Sequence, residues 1–330
     1  MSAQSKPKVT IGLPVYNGEN YLAPAIESVL KQTYGDFELF ISDNASTDST
    51  RDICLDFAAR DPRVVYHRQD RNIGAALNHN FCGRRATGKY FKFAAHDDLL
   101  EPEYLARCVA PLEEHPDAVL CQSRTRIVGD EGEGIAVHYP GLESSSAAER
   151  FGVVILKPHW CVEVYGLIRT SALARTNLEA PYFGGDKVLL AELALLGKFL
   201  HVPEPLFINR DHAARSMRAV PFHLRQVFQD TSRQRQVVTH WALYTDYWRA
   251  VDRHVRDRRE KIRCYGKLLQ WWFANLHAAR LTLDVALALV PRAAEPIYRL
   301  RKAYHRKGIG SEKDRWAQPS DPASVTAKRR

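Results

Sequence analysis

The residues in this chain best suited to chemistry are the adjacent carboxylates of the stretch KYFKFAAHDDLLEP, Lys89 to Pro102. Tyr90, Phe91 and Phe93 favour a strand, Ala94 and Ala95 extend the apolar run, and His96-Asp97-Asp98 ends it. Carboxylates at the carboxyl end of a buried strand lie where open α/β sheets bind ligands. A hard cation such as Mg²⁺ takes oxygen ligands, commonly one or two carboxylates with substrate phosphates, so one reading is a metal–diphosphate site. The other is local: Leu99-Leu100-Glu101-Pro102 opens a helix that Asp98 caps, with Glu101 as its capping-box partner. The stretch alone leaves both open.

The elements needed to position this cluster repeat along the first half. Lys8 to Val15 reads as a strand in which Pro14 stops ladder donation, and Tyr16-Asn17-Gly18 as a turn. Glu19 to Thr33 is a helix with Leu22, Ile26, Val29 and Leu30 on one face. Phe37 to Ser42 is a second strand, and the polar loop Asp43 to Asp48 leads into a helix reaching Arg60. Arg63 to His67 is a third strand, and Ala75 to Arg85 a helix before the KYFKFAA strand. Alternation at this spacing gives right-handed βαβ units, hence an α/β fold with a doubly wound, mostly parallel sheet. Such a sheet gathers Tyr16-Asn17-Gly18-Glu19, Asp43-Asn44, Arg71-Asn72 and His96-Asp97-Asp98 at one edge.

Beyond Asp98 the reading gives a helix over Tyr104–His115, a strand over Ala118–Ser123, a loop over Gly129–Gly141, and a strand at a mixed sheet edge over Trp160–Arg169. A loop over Ala180–Asp186, a helix over Lys187–Leu196 and short strands Phe199–Val202 and Leu206–Asn209 follow. From Phe222 the chain turns to long helices rich in Arg, Trp and Leu, and residues 308–330 read as a disordered tail.

The 330 residues carry a net charge of +9 and are 45% hydrophobic, enough for a sizeable core. The basic balance suits anionic partners without choosing among nucleic acid, membrane and phosphorylated small molecules. Six cysteines with no CxxC spacing and no zinc-ligand cluster read as buried, reduced thiols of a cytosolic protein. The polar N-terminus leads straight into a strand, and no apolar run is long enough to span a bilayer.

The segment LPVYNGENYLAPAIESVLKQTYGDFELFISDNASTDST resembles the opening of an inverting family 2 glycosyltransferase of the GT-A fold. RNIGAALN resembles that family's next segment, and AAHDDLLEP its DxD-type metal motif. The resemblance covers residues 8–125 well and runs on more loosely to 216. It implies a nucleotide-sugar donor, a divalent metal (Mn²⁺ or Mg²⁺), and transfer with inversion to a glycan or lipid-linked acceptor. On it, Pro14, Tyr16, Asn17 and Glu19 line the nucleotide pocket, and Asp43 and Asn44 belong to the loop that reads the base. Many members have a second aspartate in place of Asn44. Arg71, Asn72 and Asp97 also serve the donor. Asp98 is the expected direct metal ligand, and His96 stands where some members have another aspartate.

Inverting transfer needs a base for the acceptor hydroxyl. Asp186 in GGDKVLLAEL resembles the family's base-bearing motif, with Gly185 where many members carry Glu. The competing reading makes Asp186 a helix N-cap, and Glu163 and Asp211 are the next candidates for the base. His212 in NRDHAARS resembles a histidine that completes the metal or diphosphate site; otherwise it is a plain loop residue.

The domains expected are a catalytic unit over 1–216 (nucleotide-binding half 8–125, acceptor half 126–216), a helical appendage over 217–307, and the tail. Within the appendage, Trp271, Trp272 and Phe273 with flanking Lys and Arg suit a helix lying on an anionic membrane surface. Alternatively they pack on the catalytic domain, or on a second copy in a homo-oligomer. The expected location is cytoplasmic, extending to peripheral attachment at the inner membrane face. A nucleotidyltransferase would need a basic, Gly-rich phosphate loop after the first strand, which Tyr16-Asn17-Gly18-Glu19 is not. A nucleic-acid or membrane-binding module explains the charge but not the ordered polar loops, and nucleic acid is not among the expected partners.

Overall fold

The structure, a computed structural model, describes residues 7–129, 132–135, 142–157, 161–212, 215, 220, 224–232, 239–274 and 281–282. The expected tail, and the helices expected beyond 282, lie outside the described residues. Strands β1 (Val9–Val15), β2 (Phe37–Asp43), β3 (Val64–Arg68) and β4 (Tyr90–Phe93) are parallel neighbours in the order β3-β2-β1-β4. Helices α1 (Leu22–Leu30), α2 (Thr50–Arg60) and α3 (Ala75–Arg84) connect them. Apolar side chains line both faces, as a sheet covered on both sides requires. Ile11, Leu13, Leu39 and Ile41 pack with Leu22 and Ile26 of α1 on one face. Phe40, Phe91 and Phe93 join the other core.

The second half departs from the expected pattern where other interactions override local preference. Leu99–Leu100 is not a helix start but a short strand, β5, and α4 begins only at Tyr104 with Glu103 as N-cap. Asp98 is therefore not that helix's cap. The loop predicted over Gly129–Gly141 contains strand β7 (Gly132–Ile135), paired antiparallel with the extended β6 (Ala118–Gly129). Of the strand predicted over Trp160–Arg169, only β8 (Leu167–Arg169) forms, and it lies between β4 and β6 rather than at an edge. Val162–Tyr165 is instead a 3₁₀ turn opened by Cys161 at φ 57. Buried Lys92 and the Tyr104 hydroxyl both donate to the Tyr165 carbonyl, taking it out of any ladder.

The two short strands expected around the prolines are one long strand, β9 (Lys198–Asp211). Pro203 and Pro205 lack an N–H, so the ladder to β6 slips: Ser123 pairs with Val202, and pairing resumes at Thr125 with Phe207. Past the slip, Leu99 and Leu100 of β5 pair with Ile208 and Phe207.

Six more helices complete the described fold: α5 (Ala147–Leu156), α6 (Thr170–Leu173), α7 (Gly185–Leu196), α8 (Arg225–Gln229), α9 (Thr239–His254) and α10 (Arg258–Phe273). Tyr247, Val251, Cys264, Leu268 and Trp271 of α9 and α10 share one core with α5, α7 and the sheet. Packing thus claims Trp271, which is 2% exposed, so for this residue the packing alternative holds. All six cysteines are buried and unbridged. No helix among the described residues is long and apolar enough to cross a membrane.

Candidate active site

The first two polar loops are laced together at the carboxyl edge of the sheet. Asn17 takes φ 51, which lets its amide donate to Ser46 Oγ (2.9 Å) while its Oδ1 accepts from the Thr47 amide (2.9 Å). The Gly18 amide donates to Thr50 Oγ1 (2.8 Å) and the Glu19 amide to Asp48 Oδ2 (3.1 Å). Glu19 returns the contact, its Oε2 accepting from the Ser49 amide (3.1 Å). These bonds hold residues 17–19 in a turn, so α1 starts at Leu22 and not at Glu19. Pro14 lies opposite Ser42, and the strand register runs on to Val15 opposite Asp43. Tyr16 remains 44% exposed at this edge, its ring free to cover a flat ligand.

Asp43 and Asn44 lie deeper than expected. Asp43 is fully buried: Oδ1 accepts from the Ser46 amide (2.8 Å), and Oδ2 from Tyr66 Oη (2.7 Å) and Arg68 Nη1 (2.8 Å). Asn44 is 3% exposed; its Nδ2 donates to Asn72 Oδ1 (3.0 Å) and its Oδ1 accepts from the Ile73 amide (2.9 Å). Asn44 therefore ties the second loop, the one expected to read the base, to the RNIG segment. Arg71 is exposed beside this tie. Gly74, at φ 99, closes the segment under α8, where an added Cβ would stand 2.5 Å from the Gln229 carbonyl oxygen.

The β5–β9 pairing carries His96-Asp97-Asp98 onto the end of β9. Asp98 is 7% exposed: both carboxylate oxygens accept from Asn209 Nδ2 (3.1 and 3.0 Å), and Oδ1 also from the Arg210 amide (3.0 Å). Burial, reinforced by the Asp97 charge, pushes its carboxyl up to about 7. Asp98, the expected metal ligand, is held here by Asn209 and Arg210, and this carboxylate faces inward and fastens the loop. The outward pair is Asp97 and His212, with Oδ2 to Nε2 at 3.0 Å and both side chains about one-seventh exposed (15% and 14%).

The His212 ring stacks on Tyr21 at 4.3 Å between centroids, and its Nδ1 is buried without a hydrogen-bond partner. Arg210 donates through Nε to the Asp97 carbonyl and through Nη2 to the Tyr21 carbonyl (3.2 Å). Sequence reasoning missed Arg210, Asn209 and Tyr21; the β5–β9 pairing that recruits them leaves no local signal. Burial lowers the His96 imidazole, and His96 crowds Gly18, where an added Cβ would stand 2.8 Å from its Cδ2.

The donor set fits a hard divalent cation in part. Among the described residues no three His, Cys, Asp or Glu side chains converge, and the Asp97 carboxylate and the His212 imidazole stand together at this edge. Mg²⁺-type sites usually draw their remaining ligands from substrate phosphates and water, and this pair suits that division.

Asp186 lies in the first turn of α7, one residue past Gly185, while Gly184 is the N-cap. The cap reading of Asp186 is therefore excluded by position. Its Oδ1 accepts from the Lys187 amide (3.0 Å). Asp186 raises the Glu179 carboxyl, which burial first and this charge second push up to about 8. Glu179 is held by Asn80, which donates to its carbonyl (2.8 Å) and accepts from its amide (2.9 Å). His79 Nδ1 approaches Glu179 Oε1 at 3.5 Å, and its ring stacks on Phe93 at 4.0 Å. Sequence reading did not single out Glu179. Glu163, 9% exposed, is in the 3₁₀ turn, and Asp211 lies 3.6 Å from Arg215.

Solved structures share this fold. S. aureus TarS 1–349, in complex with UDP-GlcNAc, superposes with TM-score 0.63 over 81% of this chain and 72% of that chain, at 17% identity. The mannosyltransferase PcManGT from Pyrobaculum calidifontis, in complex with GDP-Man and Mn²⁺, superposes with TM-score 0.53 over 90% of this chain and 81% of that chain, at 16% identity. The mostly parallel sheet with its helical extension is a GT-A-like fold.

The sequence gives the narrower class: residues 10–173 match the model of Glycosyl transferase family 2, and the chain belongs to that family. The putative glycosyltransferase EpsE of Bacillus subtilis (strain 168) is 40% identical over 114 residues, 34% of this chain and 40% of that protein. The glycosyltransferase GlyA of Streptococcus pneumoniae serotype 4 is 33% identical over 108 residues, 33% of this chain and 15% of that protein. The chain thus spans two fifths or less of the length of these relatives.

Proposed function

We propose that this protein transfers a sugar from a nucleotide-diphosphate donor to an acceptor hydroxyl by single displacement with inversion, using a divalent metal. The observation that carries the reading is the Asp97–His212 pair, set by β9 against Tyr21 and the laced donor loops. Two neighbours of this fold bind UDP-GlcNAc, and GDP-Man with Mn²⁺, which supports a nucleotide-sugar donor here. Tyr16 covers the base, Asn17 and Glu19 keep the loop shaped, and Asp43 and Asn44 hold that loop from beneath. Asn72 fixes the RNIG turn, and Arg71 reaches toward donor oxygens.

Asp97 and His212 hold the metal, which when bound neutralises charge developing on the leaving diphosphate. Arg210 fixes the Asp97 backbone and adds a second cation at this corner. Asp186 takes the acceptor proton, and the loop bearing Glu179 places the acceptor beside it. A glycan or lipid-linked hydroxyl is the acceptor class.

Donor turnover and melting temperature with UDP-, GDP- and dTDP-sugars, each with and without Mn²⁺, test the reading. One donor is expected to raise the melting temperature and to be consumed with Mn²⁺, and His212→Ala is expected to lose both responses. No shift and no consumption with any donor, or a shift with an oligonucleotide alone, overturns it.

A further inference from the structure

Helix α10 buries one face and presents a second apolar face to solvent. Cys264, Leu268 and Trp271 are 0–2% exposed and fill the core beside α5. On the opposite side Ile262, Leu269 and Phe273 are 61%, 62% and 74% exposed. With 3.6 residues per turn they fall in one line, passing over Gly266 and running about 16 Å along the axis.

Basic side chains flank the line: Arg258 on one side, Arg259 and Arg263 on the other, all exposed. The helix's acidic residue, Glu260, turns its Oε2 inward, accepting from Ser146 Oγ (2.9 Å) and the Ala148 amide (3.0 Å), while its Oε1 accepts from Arg263 Nη1 (2.9 Å). At the margin Trp248 of α9, 42% exposed, stacks on Tyr265 at 4.4 Å. Solvent-facing Ile, Leu and Phe aligned on a helix already packed by its other side contribute nothing to the core. Scattered singly they would need no explanation, but aligned between arginines they form a built surface.

We propose that the Ile262–Leu269–Phe273 face of α10 docks on an anionic lipid surface, the three side chains entering the headgroup boundary and Arg258 and Arg259 meeting lipid phosphates. The charge pattern favours lipid over a second copy of the chain. Copies meeting through this face would set the same arginines against each other, whereas an anionic bilayer complements them. The inference is independent of the proposed sugar transfer and can fail while that reading stands.

The test is co-sedimentation of the full chain with vesicles of phosphatidylcholine alone or with phosphatidylglycerol. Binding to the anionic vesicles is expected, weakening with salt. The triple variant Ile262→Glu/Leu269→Glu/Phe273→Glu is expected to lose about tenfold or more in binding. Leu55→Glu, at a position 45% exposed on α2, is expected to bind like the parent. If the triple variant melts early, Phe273→Glu alone, at the most exposed position, is read in its place. Equal binding by parent and variant overturns the proposal. So does absence of binding by the parent, or a parent dimer that the variant dissolves without any vesicle binding.

Discussion

Asp97 and Asp98 are adjacent in sequence and opposite in situation. Asp98 accepts three hydrogen bonds from Asn209 and Arg210 out of water, and Asp97 faces His212 at the surface. Asp98→Ala would leave buried donors unpaired and is expected to lower stability by about 1–3 kcal/mol, read by denaturant unfolding. Asp97→Asn is expected to unfold like the parent while losing turnover by about 10²-fold or more, in line with removal of a charged transition-state contact. A parent-like rate in Asp97→Asn would move the metal away from this pair.

Glu179 gives a pH signature at the same scale. Its folded carboxyl is raised to about 8 from an ordinary 4.5, so between those values the unfolded state ionises and the folded state does not. Stability from this group is present below pH 4.5 and is lost as pH rises through 8. Glu179→Gln should therefore melt like the parent at pH 5 and above it at pH 8.5. A difference independent of pH would show the carboxyl to be ionised in the fold.

At the scale of elements, α3 and α8 connect the proposed donor and acceptor sides. The N-terminus of α3 carries the Asn72–Gly74 turn, and its middle carries His79 and Asn80 against Glu179. Helix α8 bridges the same two regions: Gln226 Nε2 donates to the Pro181 carbonyl (2.8 Å), Thr231 Oγ1 to the Asn72 carbonyl (2.9 Å), and Arg225 stacks over Phe183 at 4.2 Å. Gly74→Ala would strain a left-handed backbone and drive a Cβ toward the Gln229 carbonyl oxygen. The expected outcome is a donor KM raised several-fold with a melting temperature lowered by a few degrees, measured side by side. For α7, Asp186→Asn is expected to keep the helix, since Gly184 and not Asp186 caps it, and to lose turnover by about 10²-fold.

Over the whole molecule, the C-terminal helices belong to the site's foundation. Glu192 of α7, 1% exposed, accepts from the Asn177 amide (2.7 Å) and pairs with Arg253 and His254 of α9. Tyr182 donates to Asp246 (2.7 Å) from the loop that leads to Asp186. Glu192→Ala leaves the Asn177 amide and the buried His254 ring without their acceptor, and is expected to destabilise by about 1–3 kcal/mol. Because Glu192 anchors the acceptor loop, acceptor KM should rise with little change in donor binding. A variant with parent-like unfolding would detach α9 from this role.

The strand–helix alternation through α3 and the polar loops at the strand ends were legible in the sequence. Each depends on short-range patterns: apolar runs with the period of strand or helix, and turn residues between them. The family resemblance lay in the same segments. Tertiary structure decided what depended on partners distant in the chain. A two-residue strand formed at Leu99–Leu100 because β9 offered it a ladder, and that pairing turned Asp98 inward and brought Asp97 to His212. The proline-driven slip between β6 and β9 joined two expected strands into one. Trp271 went to the core and Phe273 to solvent because α9 and α5 claimed one side of α10. Local periodicity shows that a helix has faces; only the packing of its neighbours determines which face is covered.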